Sequence, residues 1–235
     1  METEVAVVVG VGPGLGWALV KRFAEAGMQT VAAARQAAKL ESRLASESRQ
    51  NVRLRQCDAT QPTAVASLFD DIDKEFGHPT VVVFNAGAYE PGGILDITAE
   101  AFERCWRVGC FGGFLVGQAA ARIMATVGNG TIIFTGATAS LRGSAGFANL
   151  AVPKFGLRAL AQSMARELGP KGIHVAHVII DGQIASERNA HLAAQRGSAS
   201  LLPADAIAET YYELHRQPRG AWTHEVDLRP WSEKF

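Results

Sequence analysis

Cysteine is scarce in this chain of 235 residues: Cys57, Cys105 and Cys110 are an odd set with no metal-type spacing. That excludes a disulfide framework and leaves small apolar packing as their expected use. A charge excess of either sign is also missing, since 23 Lys and Arg balance 23 Asp and Glu. No positive surplus exists to neutralise a phosphate backbone, so nucleic acid is not an expected partner. No run approaches about 18 consecutive apolar residues without charge or glycine, so no membrane partner is expected. The opening residues Met1-Glu2-Thr3-Glu4 are acidic where a secretory signal is basic, which predicts a cytoplasmic location. The six histidines show no ligand spacing, and no metal is expected.

What remains is ordinary globular material, 48% hydrophobic and 20% charged, enough to bury a core. Against about 150 residues per domain, the length favours one domain over residues 1–235, with no composition shift to divide it. Short apolar runs rich in Val, Ile and Thr fall at Val5–Val9, Thr30–Ala33, Val52–Arg55, Thr80–Phe84, Thr131–Thr135, Ile173–Ile180 and Thr223–Val226. Helical periodicity falls between them, at Leu15–Ala26, Gln36–Ser48, Pro62–Phe76, Ala99–Thr126, Val152–Leu168 and Ala204–Arg216. Repeated strand, helix, strand units with unalternating strands predict a doubly wound α/β fold: a parallel sheet of about seven strands with helices on both faces. The weakly patterned stretch Gly182–Leu202 is expected to be a flap over a site.

The first strand runs into Gly10-Val11-Gly12-Pro13-Gly14-Leu15-Gly16 and then directly into a helix. Glycines let backbone approach a pyrophosphate, while the unpaired N–H groups and positive dipole end of the helix attract its charge. A tight turn alone would also use such glycines, and Pro13 contributes no N–H. Context favours the nucleotide over the bare turn: the spacing Gly10, Gly14, Gly16 is followed by Asp58 after the third strand and Asn85-Ala86-Gly87 after the fourth.

That combination resembles the short-chain dehydrogenase/reductase family, whose Rossmann-like fold binds a nicotinamide cofactor. Lys154 near a helix start and the pattern Gly169-Pro170-Lys171-Gly172-Ile173-His174-Val175 extend the likeness over roughly residues 4 to 228. The resemblance implies that Gly10, Gly14, Leu15 and Gly16 hold the pyrophosphate. It places Asp58 near adenine, Asn85 and Gly87 at the ribose, Lys154 on the nicotinamide ribose and Ile184 beside the carboxamide. At the end of the second strand an acid would select NAD(H). The chain has Val31-Ala32-Ala33-Ala34-Arg35, so NADP(H) is expected, with Arg35 pairing with the 2′-phosphate. Stacking on adenine and simple exposure are the alternatives for Arg35.

The catalytic pattern that the resemblance implies is poorly filled. Four residues before Lys154, where the family's proton-donating Tyr stands, is Leu150. Thirteen earlier, at the Ser that binds the substrate oxygen, is Ala137, and the Asn of the water relay falls on Gly109. The alternative Tyr position of enoyl reductases is Phe147. Thr138 and Tyr89 are the remaining candidate catalytic hydroxyls beside Lys154, with loop packing the competing use of Tyr89. His174 and His177, on one strand, are expected to be packing residues. The expected function is an NADP(H)-dependent oxidoreductase with an unusual site acting on a small molecule; the competing reading is a nucleotide-binding or assembly protein without chemistry. The apolar helices Ala99–Thr126 and Val152–Leu168 predict a homodimer or homotetramer.

Overall fold

Val, Ile, Ala and Phe dominate the central strands because most of these strands are covered on both faces. The computed structural model describes residues 3–186, 189, 191, 195 and 200–232. Its strands are β1 (Val5–Val9), β2 (Gln29–Ala34), β3 (Val52–Gln56), β4 (Val81–Phe84), β5 (Gly130–Thr135), β6 (Ile173–Ile180), β7 (Gln183–Ile184), β8 (Leu201–Leu202) and β9 (Glu225–Leu228). Seven form one parallel sheet, ordered β3-β2-β1-β4-β5-β6-β9, and β7 pairs separately with β8. The α-helices are α1 (Leu15–Glu25), α2 (Glu41–Glu47), α3 (Pro62–Phe76), α4 (Ala99–Trp106), α5 (Gly112–Val127), α6 (Ala148–Leu168) and α7 (Ala204–Arg216).

Two cores cover the sheet. On one face α1 and α7 pack Leu19, Phe23, Ile207 and Leu214 against Val8, Val83 and Ile133. On the other, α3, α5 and α6 pack Phe69, Val116 and Leu157 against Val7, Phe84 and Phe134. Each fully buried side chain of this size contributes about 1.5–3 kcal/mol. Tyr211 of α7 is wholly buried, and its hydroxyl meets Thr135 Oγ1 at 2.9 Å, which offsets the cost of desolvating a phenol. This is a Rossmann-like fold, and its strand order reverses direction between β1 and β4, where a crevice opens beyond the carboxyl ends of the strands.

Several expected boundaries move. The expected helix over 36–48 is a 3₁₀ turn, Ala37–Leu40, followed by α2. The last strand shifts to Glu225–Leu228. The helix carrying Lys154 begins at Ala148, ahead of the expected Val152, because Pro153 lies inside the helix and does not open it. The long run from 99 is broken by a π turn, Arg107–Phe111. Within the expected flap, β7 and β8 are ordered strands; residues 187, 188, 190, 192–194 and 196–199 lie outside the described residues.

Candidate active site

The glycine loop is shaped by what lies behind it. Gly10 has φ +91°, and a Cβ there would stand 2.4 Å from the Ala86 backbone nitrogen, so β1 and β4 approach at a distance only glycine permits. Gly16 is similarly tight, with its Cβ position 2.8 Å from Val11 Cα, whereas Gly12 and Gly14 face open space. No side chain caps Gly14 at the start of α1. The uncapped N–H groups and the unobstructed loop form the cradle that an anion would fill. Asn85 donates from Nδ2 to the Gly10 carbonyl at 3.1 Å, and so braces the loop.

Three hollows share this loop. The first is lined by Gly10, Arg35, Asp58, Asn85, Gly87 and, unanticipated from sequence, Thr60 and Val108. Asp58 Oδ1 accepts from Thr60 N at 3.0 Å and Thr60 Oγ1 at 2.8 Å, which fixes the carboxylate at the rim. The Cys57 thiol in its wall is pushed up to about 11 by burial and the nearby Asp58 charge, consistent with a packing role. The second hollow, at the end of β2, is lined by Gly12, Pro13, Arg35 and Lys39. The Arg35 and Lys39 side chains are exposed there and make no hydrogen bond or ion pair among the described residues. Lys39 escaped sequence reasoning; its signal was a second cation four residues after Arg35. The third hollow sets Ile184 and Ser186 opposite Gly14 and Leu15.

On the reacting edge, Lys154 is 7% exposed, and its ammonium donates to the Thr135 carbonyl at 2.6 Å. Burial pulls its pKa down to about 8. A Cβ on Gly87 would lie 3.8 Å from Nζ, so the structure brings Lys154 and the end of β4 together. Leu150 lies one turn before Lys154 on α6, half-buried, and Ala137 follows β5. Gly109 lies in the π turn, where a Cβ would be 3.1 Å from Pro153 Cβ: the glycine lets the turn pack onto α6.

The two candidate hydroxyls are otherwise engaged. Thr138 donates to the Asp181 carboxylate, which also lies 3.5 Å from Arg229. Tyr89 stacks on Phe147, centroids 4.9 Å apart, and donates to the Gly146 carbonyl at 3.1 Å. Among the described residues neither hydroxyl is hydrogen-bonded to Lys154, whose ammonium donates to the Thr135 carbonyl instead. Of the two strand histidines, His174 stacks on Trp222 as a packing residue, while His177 departs from that expectation by entering a polar chain with Ser140 and Glu225. Burial pushes the His177 imidazole down to about 4.

Comparison with known proteins places this geometry in a family. The short chain dehydrogenase model matches residues 4–197. The chain therefore belongs to the short-chain dehydrogenase/reductase family, whose relatives are oxidoreductases. It is 33% identical over 177 residues to (21S)-21-acetoxyl-apo-melianone synthase SDR of Melia azedarach; the match takes in 74% of this chain and 65% of that protein, just under two thirds of its length. Among solved structures, a short-chain dehydrogenase from Rhodopseudomonas palustris is 39% identical with TM-score 0.84, covering 97% of this chain and 99% of the other. A metagenomic short-chain oxidoreductase in complex with NADP is 25% identical with TM-score 0.84, covering 98% of each chain.

Proposed function

We propose that the protein is an NADP(H)-dependent oxidoreductase whose substrate side lacks the family's usual hydroxyl groups. The observation that carries the cofactor choice is the pair Arg35 and Lys39 in the hollow after β2, with Ala34 where an acid would select NAD(H). These two cations, whose side chains have no partner among the described residues, offer a 2′-phosphate charge-assisted hydrogen bonds, and Ala34 brings no carboxylate to repel it. The cofactor, when bound, supplies hydride chemistry. The chain's own contributions are the open loop Gly12–Gly14 for the pyrophosphate, Asp58 and Asn85 along the adenosine hollow, and the Lys154 ammonium for ribose hydroxyls. Positioning of a reactant against a bound partner is itself worth several kcal/mol, on the order of 7 or more in the best cases.

Calorimetric titration tests this reading. NADPH is expected to bind about tenfold more tightly than NADH, the value of one charged hydrogen bond. Arg35→Ala should remove the preference by weakening NADPH alone. Equal affinities in the parent protein would overturn the assignment.

A second reading rests on Leu150 and Ala137: with neither hydroxyl present, the chain is a nucleotide-binding or assembly protein that kept the fold and not the reaction. A hydride-transfer assay over carbonyl and enoyl substrates separates the two, turnover favouring the enzyme. In either case we propose a homodimer or homotetramer. The support is the apolar face on α4 to α6, where Trp106, Phe114, Val152 and Phe155 are each 37–47% exposed. Light scattering that returned a monomer would contradict it.

A further inference from the structure

Behind the Thr135–Ser140 turn lies a chain of polar groups that the cofactor reading does not use. Ser140 and His177 are both 0% exposed. Ser140 Oγ accepts the Ala137 N–H at 3.1 Å and faces His177 Nε2 at 3.5 Å. His177 Nδ1 faces Glu225 Oε2 at 2.9 Å, directly across the β6–β9 ladder. A carboxylate partner assigns the ring proton to Nδ1, which leaves Nε2 to accept from the Ser140 hydroxyl. Arg158 then closes on Glu225 through two donors, at 2.6 and 2.7 Å.

The two ends of this chain meet on one helix. Arg158 lies one turn after Lys154 on α6, and Lys154 holds Thr135 O at the start of the same turn. The contacts therefore form a ring: Lys154, Thr135, the turn to Ser140, His177, Glu225, Arg158, and back along α6. Gly136 has no room for a side chain because its Cβ would stand 2.4 Å from His177 Nε2, so the imidazole is pressed directly against the turn. The turn is tied from the opposite face as well, by Gly136 N to Val178 O at 2.7 Å and by Thr135 Oγ1 to Tyr211. An apolar side chain at 177 would fill the same space without linking anything.

We propose that Ser140, His177, Glu225 and Arg158 are positioning residues for Lys154, holding the Thr135 carbonyl and the α6 turn at the separation its ammonium requires. The inference rests on the reading of Lys154 as a cofactor ligand. Of the titratable and charged groups along the ring, His177 on β6 feels the Lys154 charge, Glu225 on β9 pairs with His177 and with Arg158 of α6, and Asp181, paired with Arg229, holds Thr138 of the turn. A loosened ring admits water to Lys154, which eases the desolvation that depresses its pKa.

The test is the pH dependence of cofactor binding in Ser140→Ala and Arg158→Gln, with Ser140→Thr as the conservative variant. Dissociation constants for NADPH and NADH are measured from about pH 6.5 to 9.5; NADH lacks the 2′-phosphate, whose second pKa is about 6. Ser140→Ala and Arg158→Gln should weaken both cofactors roughly threefold to tenfold, the range of one lost hydrogen bond. They should also raise the alkaline midpoint of binding by about half a pH unit or more, while Ser140→Thr stays near the parent. Arg158→Gln, at the partly exposed end of the ring, keeps the test open should Ser140→Ala unfold. Lowered thermal stability with unchanged affinity and midpoint would make the ring a plain brace and overturn the proposal. Lys154→Ala separates the two readings: if it leaves NADPH affinity unchanged, the cofactor role of Lys154 fails first, and the ring's purpose with it.

Discussion

The two rims of the crevice differ in what they ask of their residues. The rim made by β1, β2 and β4 works largely through backbone: Gly10 against Ala86 and open Gly12 and Gly14, with the Asn85 side chain bracing the loop from behind. Arg35, Lys39 and Asp58 line its outer edge, but the loop at its centre is mostly glycine. The rim made by β5 and α6 depends on individual side-chain atoms, and there Ala137 and Leu150 supply none that can exchange a proton. A backbone site tolerates change around it because every residue but proline, such as Pro13 in this loop, carries a main-chain N–H. A side-chain site is lost with a single substitution, although the fold that presented it remains.

The largest test of this contrast puts the atoms back. Leu150→Tyr combined with Ala137→Ser should raise ketone reduction by about 10²-fold, the lower range of general-acid help, read as NADPH consumption. No gain in a folded, NADPH-binding double variant would mean that the second rim differs in more than two side chains. The converse is Gly10→Ala on the backbone rim. A methyl 2.4 Å from a main-chain nitrogen at φ +91° should cost about 2–4 kcal/mol, lowering Tm on the order of 5–15 °C by calorimetry and weakening NADPH binding.

Acid provides a third lever. His177 is held neutral by burial, at about 4 against an ordinary 6.5, so below pH 6.5 the unfolded chain takes up a proton that the folded chain refuses. Stability is full above that pH and falls by about 3 kcal/mol as pH drops toward 4. His174 and His215, also depressed by burial, act in the same direction. Denaturant unfolding across this window should show the decline, and His177→Gln should flatten part of it. The smallest effect belongs to Lys39→Ala, an exposed cation expected to weaken NADPH only about threefold and NADH not at all, measured by titration.

Much of the first rim was legible in the sequence because local rules set it. A glycine loop between an apolar run and a helix, Pro62 opening α3, and the boundaries Pro62–Phe76 and Ala204–Arg216 all follow from adjacent residues. What escaped depends on partners far along the chain. Lys39 reaches the Arg35 hollow only because a 3₁₀ turn follows β2. His177 joins Glu225 through strand register across 48 positions, which spacing in the sequence does not reveal. The two-residue strands β7 and β8 are too short to carry an alternation. The start of α6 also escaped, since Pro153 lies inside the helix and not at the first helical position, where proline is over-represented.

The π turn at Arg107–Phe111 has a consequence for the helix around it. Ala101, Cys105, Gly109 and Gly113 are buried at intervals of four residues, and on a regular helix such a stripe would rotate about 40° with each step away from the surface it covers. The wider turn absorbs that drift, so α4 and α5 present one continuous stripe to the protein interior although they are out of phase as helices. The segment thus behaves as a one-residue insertion stored inside a helix, and its length is as much a constrained quantity as its composition.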